Sequence, residues 1–206
     1  MTKLLYILAS PRGESSQSNL LAEAFIEEKR ASDSELVVST LDLWKADLPE
    51  FDGDKAAAKM TFFGVGDMDD GLKTEWTRIE EIAAQFMDAD HIVFAVPMWN
   101  GGVPYKLKQY IDIITQPGLL FGFSPEQGYF GLLENKKASV FYTSGVFFPG
   151  AEAKYGSDFH STYLSWWLNM IGISNIESVC LQPSLVTSDP EQDFQSALSK
   201  AKNLAL

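Results

Sequence analysis

One cysteine, Cys180, stands in a chain of 206 residues, so no disulfide can form within it. Such usage fits a reducing compartment. Positive charge is also scarce: 16 Lys and Arg stand against 28 Asp and Glu, for a formal net charge of −12. Nucleic acid and anionic membranes both demand basic patches, so neither is an expected partner. Long apolar runs are missing too. The run within residues 1–10 is cut off by Pro11, Arg12 and Glu14, too soon for a signal core or a membrane span, and a cytoplasmic location is expected. No His, Cys, Asp and Glu cluster has metal-ligand spacing, so no metal is expected. No catalytic triad stands out either. The first strand–helix junction carries neither G-x-G-x-x-G nor G-x-x-x-x-G-K-[ST].

What is present reads as one soluble domain over residues 1–206: 46% hydrophobic and 21% charged residues match a globular chain with a core of its own. Apolar runs predict strands at Lys3 to Ala9, Glu35 to Leu43, His91 to Val96, Ala138 to Thr143 and Ile176 to Leu181. Helical spacing falls between and after them, on Leu20–Phe25, on Trp76, Ile79, Ala83 and Phe86, on Leu107, Tyr110, Ile111 and Ile114, over Phe159 to Ile171 ahead of Gly172, and on Phe194 to Leu204. Pro104 suits a first helical position. Residues 44–74 read as irregular, with a short helix around Ala56 to Met60. Strands alternating with helices predict an α/β fold, a parallel sheet covered on both faces. Ligands in such sheets bind at the carboxyl ends of the strands, so the loops there carry the functional reading.

The loop after the first strand runs Ser10-Pro11-Arg12-Gly13-Glu14-Ser15-Ser16-Gln17-Ser18-Asn19 straight into a helix. A helix N-terminus offers unpaired amides and partial positive charge, and Ser10, Ser16 and Ser18 add neutral donors. A lysine-free cradle of this kind suits one terminal phosphate, as in FMN, better than a triphosphate with magnesium. The same serines also suit plain capping and turn roles. The third strand ends in Pro97-Met98-Trp99-Asn100-Gly101-Gly102. Pro97 stops the ladder, Trp99 offers a flat apolar wall, Asn100 an amide, and the glycines a close backbone approach. A helix-initiating turn with a core tryptophan would look the same.

Together these loops, with Pro104-Tyr105-Lys106-Leu107-Lys108-Gln109-Tyr110-Ile111-Asp112, Gln116-Pro117-Gly118, Gly131-Leu132-Leu133, Lys136-Lys137-Ala138 and Gly172, resemble the FMN-dependent NADH-azoreductase family. That family lies within the flavodoxin-like NAD(P)H:quinone oxidoreductases, and the resemblance runs in order over nearly the whole chain. It implies a three-layer sandwich with a five-stranded parallel sheet in the order 2-1-3-4-5 and helices on both faces. It also implies non-covalent FMN, hydride transfer from NADH or NADPH to a quinone or azo compound, and a homodimer. The FMN contacts it implies fall on Ser10, Ser16, Gln17, Ser18, Met98, Trp99, Asn100 and Gly101, with Arg12 beside the phosphate and Pro97 closing the wall. No residue is expected to act as a catalytic group, because the flavin carries the chemistry.

The family commonly shows Thr-Ser-Arg-Gly-Gly after the next strand. This chain has Thr143-Ser144-Gly145-Val146-Phe147 there. Backbone amides around Thr143, Ser144 and Gly145 can still face the pyrimidine edge of a flavin, but the lost arginine and the added Phe147 and Phe148 leave the substrate and nucleotide preference open. An aromatic wall is expected from Phe121, Phe123, Tyr129 and Phe147, with residues 118–130 as a lid and His160 reaching the pocket. His91 and Cys180 read as structural, the latter as a small core residue. Two rival readings remain at this stage: a flavodoxin-type electron carrier, which the acidic charge permits, and a cofactor-free interaction module.

Overall fold

The structure, a computed structural model, describes residues 1–205. Five parallel strands form the central sheet: β1 (Lys3–Leu8), β2 (Val37–Asp42), β3 (His91–Pro97), β6 (Lys137–Thr143) and β7 (Asn175–Leu181), in the order β2-β1-β3-β6-β7. Counted without the hairpin described below, this is the 2-1-3-4-5 order. β3 is buried from His91 through Val96 because it lies mid-sheet beneath helices on both sides. Its alternate side chains feed two cores. Ile92, Phe94 and Val96 join α2 (Gly53–Thr61), α3 (Asp70–Asp88), α4 (Tyr105–Ile114) and α5 (Ser161–Met170), while Val93 and Ala95 join α1 (Gln17–Ser32) and α6 (Pro190–Leu204).

Several expectations are refined. Residues 44–74 hold all of α2 and the start of α3, each capped by an aspartate: Asp52 Oδ1 accepts from the Lys55 amide at 3.3 Å and Asp69 Oδ1 from the Leu72 amide at 2.9 Å. Pro104 stands one position earlier than predicted: at φ −56° and ψ 143° it is the N-cap of α4. Residues 118–130 are not an open loop; they hold all but the last residue of the hairpin β4 (Phe121–Ser124) and β5 (Gly128–Gly131). Cys180 is exposed, not a core residue. The pleat turns Cys180 to the face opposite Val179 and Leu181, which pack against α1 and α6.

The hairpin leaves across the end of α5. There Gly172 (φ +103°) closes the helix, with its own amide bonded to the Asn169 carbonyl at 3.1 Å and the Ile173 amide to that of Leu168 at 2.8 Å, the Schellman arrangement. The Leu133 amide then bonds the Ile171 carbonyl at 3.1 Å. A Cβ on Gly131 would stand 2.1 Å from the Gly172 nitrogen, so two backbones cross where neither position has room for a side chain.

Both histidines are buried and neutral. His91 Nε2 lies 2.9 Å from Ser139 Oγ, and burial, with Lys137 and Lys29 nearby, pushes its pKa down to about 3. Burial pushes His160 down to about 4 against the pull of Asp158. In the unfolded chain both rings titrate at the ordinary 6.5. Below that value the unfolded chain binds more protons, so stability is whole above pH 6.5 and is lost as pH falls toward 4. Urea unfolding should show a plateau above neutrality and a decline across that window. His160→Gln should flatten the slope by up to about 1.4 kcal/mol per pH unit. An unchanged slope in that variant would mean that His160 is charged in the fold.

Candidate active site

Strand register sets the site. Leu8 pairs with Asp42 and Ala95 neighbours it in β3, while Pro97 pairs with Thr143 and Thr143 with Leu181. The loops after β1, β2, β3, β6 and β7 therefore emerge at one edge of the sheet. The chain reverses its direction of travel between β1 and β3, the switch point where open α/β sheets bind ligands.

At that point Ser10, Ser16 and Ser18 are all buried. Ser16 caps α1: its Oγ accepts from the Asn19 amide at 3.4 Å and lies 3.1 Å from Ser18 Oγ. The Asn19 amide nitrogen of the side chain reaches back to the Gly13 carbonyl at 3.1 Å, which folds the loop over the helix end. The backbone amides of Gln17 and Ser18 have no acceptor among the described residues. Orphan first-turn amides beside buried hydroxyls make a cradle for an anion. Arg12 is exposed at its mouth and Gln17 is half-buried. The capping role is real, and it leaves those two amides free.

The loop after β3 begins with the Met98 amide bonded to the Thr143 carbonyl at 2.7 Å, which ties it to β6. Trp99 and Gly102 then exchange two backbone bonds of 2.8 and 2.9 Å. Between them Asn100 and Gly101 have φ of +50° and +81°, as in a type I′ turn, for which Asn-Gly is the favoured pair. Glycine is required at 101 for packing as well: a Cβ would stand 3.1 Å from the Ser157 carbonyl. The Phe159 amide donates to the Gly101 carbonyl at 2.9 Å, so this segment braces the turn from behind. The Asn100 and Gly101 amides make no hydrogen bond among the described residues.

Thr143 and Ser144 are buried beside this turn. Ser144 donates its hydroxyl to the Phe147 carbonyl, which closes the loop on itself. The loop after β7 is laced to it: the Ser184 amide bonds the Ser144 carbonyl at 2.8 Å, and the Leu185 and Val186 amides bond that of Gly145 at 2.9 and 3.3 Å. A Cβ on Gly145 would stand 3.0 Å from Leu185 Cδ1. Leu185 thus occupies space that a larger residue at 145 would claim.

The expected aromatic wall is only partly assembled in one chain. Phe147 is buried. His160 is fully buried, its ring 4.8 Å from that of Tyr142, so it stands behind the wall and does not reach the pocket. Its place at the start of α5, behind the Gly101 turn, is the reason. Phe121 and Tyr129 line a separate recess of about 310 Å³ with Lys59, Asp112, Thr115, Trp166 and Met170, to which the loops after β1, β3 and β6 contribute nothing. Phe123 packs on Tyr129 at 5.1 Å. The recess sits at the far end of α4, about 15 Å along the helix from Tyr105.

Trp44, in the loop after β2, escaped the sequence reading. Its Nε1 donates to the Ala9 carbonyl at 3.0 Å, and its ring lies 5.5 Å from Trp99 and 5.2 Å from Tyr105. It joins the first and second loops. Among the described residues no helix is long and apolar enough to cross a membrane, and no group of three or more His, Cys, Asp or Glu is placed to hold a metal ion.

This geometry has counterparts. Residues 2–205 match a family model described as a flavodoxin-like fold, Flavodoxin_2. A protein of Ruegeria pomeroyi named FMN-dependent NADH:quinone oxidoreductase is 61% identical, over 97% of this chain and 98% of its own. One of the same name from Desulfotalea psychrophila is 45% identical, over 100% of this chain and 97% of its own. Among solved structures, an FMN-dependent NADH-azoreductase of Bacillus anthracis in complex with FMN superposes with a TM-score of 0.88 at 25% identity, over 100% of this chain and 98% of that one. With the β1–α1 cradle, the β3 turn and matches over nearly its full length, the chain belongs to the flavodoxin-like family of FMN-dependent NADH:quinone oxidoreductases and azoreductases.

Proposed function

We propose that the chain binds FMN without a covalent bond and passes electrons from NADH to a quinone, with azo compounds as further acceptors. The observation that carries this reading is the β1–α1 junction, where three buried serine hydroxyls meet two first-turn amides that find no acceptor among the described residues. Those groups would hold the phosphate, with Arg12 adding charge at the mouth. Trp99 and the free amides of Asn100 and Gly101 would meet one side of the flavin, between Pro97 and Met98 below and Thr143, Ser144 and Gly145 beside it. When bound, FMN supplies the two-electron chemistry that no side chain here offers. Donor and acceptor would use one open face in turn, a ping-pong order. NADPH remains an alternative donor. The relatives' names speak for an oxidoreductase over a simple carrier.

The hairpin enters this reading through a second copy. Phe123, Tyr129 and Trp166 are 53%, 67% and 59% exposed, and within one chain they share no recess with the cradle. A homodimer would cover that apolar surface and bring Phe121, Phe123 and Tyr129 to the partner's flavin face. We place the protein in the cytoplasm, where NADH is at hand.

Purified protein with added FMN should retain the flavin through desalting, and anaerobic NADH should bleach its visible band within a turnover time. Light scattering should give twice the mass of the chain. Flavin retention without bleaching would overturn the NADH assignment, and failure to bind FMN would remove the cradle reading.

A further inference from the structure

We infer that Trp44 and Tyr105, flanked by Lys45 and Lys106, form the subsite for the adenosine diphosphate half of the nicotinamide donor. This rests on the functional reading above and adds what holds the part of the donor that does not react. Only the nicotinamide ring meets the flavin; the rest of a dinucleotide must run over the protein surface away from it. One compact aromatic cluster borders the flavin wall, each of its three rings within 6.2 Å of the other two. Trp99 lies 5.5 Å from Trp44 and 6.2 Å from Tyr105, and Trp44 lies 5.2 Å from Tyr105.

The cluster is built to receive a flat ring. The one polar atom of Trp44 is already satisfied by the Ala9 carbonyl, so what the half-buried indole offers is apolar surface in a fixed place. Tyr105 is 60% exposed, and its hydroxyl makes no hydrogen bond among the described residues. Stacking a base on an aromatic side chain is worth roughly ten-fold or more in affinity and asks nothing of the base's edge. The charge pattern agrees. In a chain of net charge −12, the half-buried Trp44 and the exposed Tyr105 are each followed directly by a lysine. Lys45 has 84% of its side chain exposed, tied only to Asp42 at 3.0 Å. The half-buried Lys106 reaches no carboxylate among the described residues and bonds Gln109 Oε1 at 3.2 Å. An exposed pair such as Lys45–Asp42 is weak and easily exchanged, so both ammonium groups are available to a diphosphate.

A plainer role for Trp44 is to brace Trp99. The two roles separate when the donor is cut in half. FMN-loaded protein is assayed with NADH and with reduced nicotinamide mononucleotide, which lacks the adenosine end, for the natural chain, Tyr105→Ala, Trp44→Phe and Lys45→Ala/Lys106→Ala. Binding of ADP-ribose is measured by calorimetry on the same samples. The expected result is a ratio of kcat/KM for NADH over the mononucleotide that falls ten-fold or more in Tyr105→Ala and in the double lysine variant, with ADP-ribose affinity falling in step. Equal losses with both donors, or ADP-ribose affinity that ignores these residues, would overturn the subsite. If NADH fails to reduce the flavin, the functional reading fails, and the ADP-ribose titration still decides the subsite.

Discussion

Gly172→Ala should cost about 2–5 kcal/mol of stability, a large share of the ~5–15 kcal/mol that holds a domain folded. Two effects add. Alanine at φ +103° is strained by about 1–2 kcal/mol. Its Cβ would also stand 2.5 Å from the Leu133 carbonyl oxygen, part of a backbone fixed by the Leu133–Ile171 hydrogen bond of 3.1 Å. Overpacking against a backbone that cannot yield costs a further ~1–3 kcal/mol. Gly150→Ala is the control, because Gly150 has φ +83° but open space around it. It should lose only the conformational part. Denaturant midpoints for the two variants decide the matter, and similar losses would show that the backbone crossing is not what demands glycine at 172.

Ser16→Asp should lower FMN affinity at least 100-fold while leaving the free protein folded. Aspartate is as good an N-cap as serine and sits well with the helix dipole, so the cap on the Asn19 amide survives. A carboxylate about 4 Å from a phosphate at an effective dielectric of 20 repels it by about 4 kcal/mol per unit charge, which is more than two decades in affinity. Riboflavin, which has no phosphate, should be far less affected. Fluorescence titration with both flavins reads the difference. Equal effects on the two would move the phosphate away from Ser16.

The fold was legible where one pattern dominated. The continuous apolar runs of β1, β3 and β6 declare strands buried on both faces, and Trp76, Ile79, Ala83 and Phe86 declare α3. α2 showed only as a short helix around Ala56 to Met60 because just Lys55 and Ala58 of its nine residues are buried, too few to mark its ends. The Asp52 and Asp69 caps were the available cue. The hairpin reads as a loop in the sequence because four-residue strands alternate only once or twice, and the pairing of Phe123 with Tyr129 is a contact across the turn that spacing along the chain does not display. In the site, the serines and Trp99 announced themselves by standing just after apolar runs. Trp44 could not. Its importance depends on β2 lying beside β1 and on Leu8 pairing with Asp42, which brings its loop to the first and second loops. Histidine 160 misled for the converse reason: its place in the chain suggests the pocket, while the brace behind Gly101 hides it.

The rim of the site is tied together by main-chain bonds. Ser184, Leu185 and Val186 are held to Ser144 and Gly145 through amides and carbonyls that every residue except proline possesses, and Leu185 keeps 73% of its surface free. Side chains at the rim can therefore be exchanged across generations while the cradle stays as it is. Variation that selects new acceptors should accumulate at positions 145, 146, 185 and 186, and the serines after β1 should stay fixed, so the lineage can change its diet without rebuilding its table.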